Sequence, residues 1–153
     1  MLDKGVFAFK GISPSNLVDE ALKFDPNKLD QLLAIDVSKY CAALGQYLIY
    51  FTYEVNKLKA ELTKKKKILN DSLMMALTKE TVKEHGTKAA ATNFLINTVA
   101  DLSKLDKEIE AMKEELTLVD GIDKTVSEFI MVFKRELTRR EQELFTTRAE
   151  RRI

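Results

Sequence analysis

The sequence predicts an all-α fold: two long antiparallel, coiled-coil-like helices with short N-terminal helices, assembling into a homo-oligomer. Three observations lead there. Both prolines, Pro14 and Pro26, fall near the start, so no later proline ring interrupts a helix. Two stretches repeat apolar residues in alternating steps of four and three, the seam of a coiled coil. Two segments, Tyr47 to Tyr53 and Phe129 to Phe133, are apolar around most of their circumference, and a single partner helix covers only one side.

In chain order, Ser13 before Pro14 has the form of an N-cap with proline at the first helical position, and Asp25 before Pro26 repeats it. These caps predict short helices over 14–23 and 26–35. Asp36 is placed to cap a third helix, whose seam reads Val37, Cys41, Leu44, Leu48, Phe51, Val55, Leu58 and Leu62. That seam stutters at Lys65 and resumes at Leu69, Leu73 and Leu77. His85-Gly86 is the expected stop. Residues 87–100 read as a short helix, separated from the next near Asp101. The second seam reads Leu102, Leu105, Ile109, Met112, Leu116 and Val119, then Val126, Ile130, Phe133, Leu137 and Leu144, with Asp123 and Arg140 at two polar seam positions. The expected organisation is a flexible arm over 1–13 and a single helical domain over 14–153. Its parts are short helices over 14–35, a long helix over 37–84, a connector over 85–101 and a long helix over 102–150.

Folded into a hairpin, the two seams stay apolar at nearly every level when facing positions have numbers summing to about 181: Leu48 with Phe133, Phe51 with Ile130, Leu62 with Val119. That register stacks the two apolar segments at one level. Tyr47, Leu48, Phe51, Phe129, Ile130 and Phe133 are therefore the expected oligomerisation residues.

Composition narrows the function. Lys and Arg number 25 against 24 Asp and Glu, so there is no global basicity, and any nucleic-acid partner must meet a local patch. One cysteine, Cys41, makes no internal disulfide and fits a reducing compartment, so a soluble cytoplasmic protein is expected. Met1 to Gly11 lacks the apolar core of a signal peptide, and no run is long enough to span a membrane. There is no glycine-rich phosphate loop, no pair of Cys or His at metal spacing, and one histidine, His85, in an expected turn. The expectation is a non-enzyme with no cofactor or metal.

Charge is unevenly spread. Residues 101–128 hold 4 Lys and 9 acids, residues 129–153 hold 7 Lys and Arg against 4 Glu, and residues 54–88 hold 9 Lys against 5 acids. Two basic regions result. The first is Lys57, Lys59, Lys64, Lys65, Lys66, Lys67, Lys79 and Lys83; four consecutive lysines splay around a helix, so at least one points outward. The second comprises Lys134, Arg135, Arg139, Arg140, Arg148, Arg151 and Arg152. In the hairpin register, Lys64 to Lys67 lie level with Glu114 and Glu115, so phosphate binding and charge matching within the assembly both stay open for them.

The stretch Phe24-Asp-Pro-Asn-Lys-Leu-Asp30, with Ala34-Ile35 and Lys39-Tyr40 leading into a helix that carries Glu54, Leu58, Glu61 and Leu62, resembles the UvsY family of phage recombination mediators. Leu105-Asp106, Ile109 and Leu118-Val-Asp-Gly-Ile122 followed by a basic stretch extend the resemblance over about residues 24–145. The resemblance implies a homo-oligomeric protein that binds single-stranded DNA and helps a RecA-like recombinase replace the single-strand-binding protein. The family's basic pair before the interhelix loop falls near Asn70 and Ser72, and its aromatic-glycine exit is replaced by Met74-Met75-Ala76-Leu77. Its DNA contacts are therefore not carried over, and Lys64 to Lys67 stand on local charge alone. The alternative function is a coiled-coil scaffold or assembly protein without nucleic-acid binding.

Overall fold

A computed structural model describes residues 15–150, with side chains to residue 148; the expected arm over 1–13 and the Ser13-Pro14 start lie outside the described residues. Every element among the described residues is a helix. They are α1 (Asn16–Lys23), a 3-10 helix (Pro26–Gln31), α2 (Ala34–Ala76), α3 (Lys79–His85), α4 (Lys88–Thr98), α5 (Ala100–Leu118) and α6 (Ile122–Glu150). No helix among them is long and apolar enough to cross a membrane.

The caps account for most boundaries. Ser15 caps α1 by accepting from the Val18 amide at 3.4 Å. Asp25 accepts from the Asn27 amide at 3.0 Å with Pro26 at the first position, but the element it opens is a 3-10 helix of six residues rather than an α-helix to residue 35. α2 then starts two residues ahead of Asp36 and does not run to 84. It stops at Ala76, because Thr78 turns extended and its hydroxyl accepts from the Thr81 amide at 3.2 Å, starting α3. Gly86, at φ 76°, ends α3 where expected, and Thr87 caps α4 by accepting from the Ala90 amide at 3.1 Å. The second long helix is also two: α5 ends at Leu118 and α6 starts at Ile122, with Gly121 between them at φ 80°. A side chain at that φ would be strained, so the Asp120-Gly121 pair favours the break.

The described contacts fall into two compact units, one made of the chain up to Glu54 together with that from Val119 on, the other of Val55–Leu118. In the first, α1 and the 3-10 helix pack against α6, and Val18, Ala21, Leu22, Val37, Leu44 and Val126 are buried. The rings of Phe24, Tyr40 and Phe133 meet at centroid distances of 5.8 to 6.5 Å, and Tyr47 stacks on Phe51 at 6.0 Å. In the second unit the buried side chains are Leu58, Leu62, Leu73, Ala91, Leu102 and Ile109.

The expected register needs correction within each unit. Phe133, expected opposite Leu48, meets Tyr40 instead, and Lys65 pairs with Glu108 rather than with Glu114 or Glu115. Both shifts are close to one heptad. A seam that repeats every seven residues tolerates such a slip without losing its apolar match.

Burial holds the Tyr47 phenol up at about 12, against an ordinary value of 10.0. A phenol with a raised folded-state value leaves stability intact below pH 10 and erodes it as pH rises from there toward 12, by on the order of 2 kcal/mol. Alkaline unfolding followed by circular dichroism should therefore shift to higher pH in Tyr47→Phe; an unchanged profile would contradict the burial of this hydroxyl.

Candidate nucleic-acid interface

α2 is helical through the whole lysine run, so each lysine's direction follows from 100° per residue. Leu58 and Leu62 are 0% and 8% exposed and mark the inward face. Lys57 and Lys64, seven residues apart, and Lys67, three further on, share the opposite face; Lys59 and Lys66, again seven apart, form a second row. All five are exposed. Lys65 points elsewhere and forms an ion pair with Glu108 of α5. The hydrogen bond and then the charge of Lys65, with help from Lys104, hold the Glu108 carboxyl below the ordinary carboxylate range. No ion pair among the described residues uses Lys64, Lys66 or Lys67, nor Glu114 or Glu115. The lysine run is thus divided: one member is used by the fold, three present free ammonium groups. Lys79 and Lys83 lie on α3 across the break at Thr78 and are exposed.

The arginine region, which belongs to the other unit, is largely used by the fold. Arg139 donates to both oxygens of Glu136, at 2.9 Å from Nε and 2.8 Å from Nη2, and also pairs with Glu143. Arg140 donates to Glu136 at 2.5 Å and to the backbone carbonyls of Leu32 at 2.8 Å and Leu29 at 2.7 Å. It thereby ties the end of the 3-10 helix to α6, adding a second donor to the Leu29 carbonyl, which also accepts from the Leu32 amide. The Arg139 hydrogen bond, seconded by that from Arg140, pushes the Glu136 carboxyl down to about 2, and Glu136 in turn raises Arg139. Arg139 and Arg140, expected as phosphate contacts, are thus both engaged by Glu136, Arg139 on the half-exposed side and Arg140 at its polar seam position as a backbone tie. Lys134, Arg135 and Arg148 are exposed, and no ion pair among the described residues uses them. Arg151 and Arg152 lie outside the described residues.

The expected oligomerisation residues divide as well. Tyr47, Phe51 and Phe133 are 5%, 2% and 1% exposed and belong to the protomer's own core, while Leu48, Phe129 and Ile130 are half-buried. Among the exposed large apolar side chains of this unit, which include Leu17, Leu33, Ile35, Leu144 and Phe145, those within the two apolar segments are Ile49, Tyr50 and Tyr53 on α2, at 70%, 54% and 64% exposure, and Met131 on α6. The signal for them was in the sequence: with Leu44, Phe51 and Leu58 on the seam, positions 49, 50 and 53 project away from it. The second seam also ends early. Every described side chain after Arg140 is exposed, including Leu144 and Phe145. Among the described residues no group of three or more His, Cys, Asp and Glu is placed to hold a metal ion.

Compared with known proteins, the chain matches no family model, no curated protein and no solved structure.

Proposed function

We propose that this protein is a single-stranded DNA-binding recombination mediator that works as a homo-oligomer. The observation that carries the reading is the division of the lysine run, with Lys64, Lys66 and Lys67 exposed and outside any described ion pair beside a Lys65 held by Glu108. Lysines without a carboxylate partner release counterions from a phosphate backbone on binding, and this supplies sequence-independent affinity. Self-association through Ile49, Tyr50, Tyr53 and Met131 would repeat the lysine rows around an assembly, so that weak single contacts sum to firm capture. The resemblance to the UvsY family supplies the rest of the proposal: the captured strand is handed to a RecA-like recombinase as the single-strand-binding protein is displaced.

The second reading is a scaffold whose charges serve only its own fold and assembly. The Glu136-Arg139-Arg140 cluster favours it, because charges that looked like a phosphate site in the sequence are spent on the fold. Titrating a labelled single-stranded oligonucleotide with the pure protein over a salt series separates the two. The mediator reading expects an affinity that falls steeply with salt; no binding even at low salt would leave the scaffold.

A further inference from the structure

The break in α2 creates a concave surface that the lysine rows do not use. Met74 near the end of α2, Leu77 just past it and Val82 on α3 form an apolar floor, rimmed by Lys79 and Lys83 of α3 and Lys88, the first residue of α4. The groove has a volume of about 470 Å³, within the range of ligand sites, and none of its lining residues is acidic. Its geometry comes from two caps and a glycine. Thr78 redirects the chain after Leu77, Gly86 turns it back, and Thr87 starts α4 so that Lys88 returns to the rim. Had α2 run on unbroken through residue 84, these side chains would lie along one convex cylinder.

We propose that this groove docks an acidic peptide segment carrying one large apolar side chain. The floor is open at Met74, which is 63% exposed, while Leu77 and Val82 are half-buried. Methionine is flexible and polarisable, which suits a surface that must mould to an incoming side chain. The three rim lysines are exposed and enter no described ion pair, so carboxylates flanking the apolar anchor would complement them. Glu80 lies one turn before Lys83 on α3, but neither it nor Glu84 lines the groove, and neither enters a described ion pair with the rim lysines. Nucleic acid fits less well. The floor has no ring or guanidinium on which a base could stack, and the nearby His85 and Phe94 rings, stacked on each other at 4.2 Å, are not among the lining residues.

The test uses the full chain and a fluorescein-labelled synthetic peptide in which one Phe is flanked on both sides by Asp and Glu, read by anisotropy. The native protein should bind it, with affinity falling as salt rises. The variant Lys79→Gln, Lys83→Gln, Lys88→Gln should weaken binding by about tenfold or more while circular dichroism and the melting curve stay unchanged, since all three side chains are exposed. The same peptide with Ser in place of Phe should bind as weakly, and Met74→Glu should act like the lysine changes. The variant Lys64→Gln, Lys66→Gln, Lys67→Gln should leave peptide binding untouched, which keeps this site separate from the proposed strand-binding lysines. Equal binding of the Phe and Ser peptides would overturn the proposal. So would a groove variant that binds peptide normally, or one that loses single-stranded oligonucleotide and keeps the peptide.

Discussion

Phe133→Ala is expected to destabilise the protein by about 3–5 kcal/mol, because a fully buried aromatic leaves both lost transfer energy and a cavity. The ring is 1% exposed and meets both Phe24 and Tyr40, so it joins the connection after α1 and the start of α2 to α6. Chemical denaturation followed by circular dichroism measures the loss. Its position also decides between two accounts of this residue. As an oligomer contact it would dissociate copies when changed and leave each protomer folded; as a protomer core residue it lowers the unfolding midpoint whatever the state of assembly. The opposite pattern is expected of Tyr50→Asp with Tyr53→Asp. These exposed side chains should leave helicity intact and reduce the molar mass seen by light scattering. If both variants merely unfold, or the tyrosine variant keeps its native mass, the assignment of Ile49, Tyr50 and Tyr53 to self-association fails.

The helical class was legible because periodicity is a local property: steps of four and three fix a face whatever that face later meets. The buried line Val37, Leu44, Phe51, Leu58 is one of the two alternating seam positions read from the sequence, and Leu102, Ile109, Val126 and Phe133 also come from the second seam. The helix breaks were less visible. Thr78 and Gly121 carry the right chemistry for a cap and a turn, but Gly121 lies between Val119 and Val126, seven residues apart on one seam, and Thr78 directly follows the last seam residue, Leu77, with no proline or glycine before Gly86 to mark a stop. The register was not legible at all, since a heptad seam is nearly degenerate to a shift of seven. What distinguishes one level from another is the fit of Phe133 among Phe24 and Tyr40, three residues from three parts of the chain. The arginine region shows both cases. Glu136 stands three and four residues before Arg139 and Arg140, so their pairing was readable from helical spacing. The bonds from Arg140 to the Leu29 and Leu32 carbonyls bridge more than a hundred residues and have no local trace.

Single-stranded DNA binding should weaken sharply in Lys64→Gln, Lys66→Gln, Lys67→Gln, with Lys65 kept. On a single strand the logarithm of affinity falls with the logarithm of salt by roughly 0.7 per phosphate neutralised, so removing three contacts should make the slope shallower by about 2 and cost on the order of tenfold or more in affinity at low salt. Helicity and oligomeric state should stay native, because the three side chains are exposed and none enters a described ion pair. Lys65→Gln serves as the contrast. Its partner Glu108 has its folded-state value lowered, so the pair adds stability above the ordinary carboxylate range and loses it as pH falls through the depressed value. Lys65→Gln should therefore flatten the acid side of the melting-temperature profile and leave the DNA salt slope nearly native. Glu114→Gln with Glu115→Gln should change neither quantity, since Lys65 meets Glu108 and no described ion pair uses those two glutamates. A triple variant that binds DNA with an unchanged slope but melts earlier would assign the whole lysine run to the fold and remove the phosphate site.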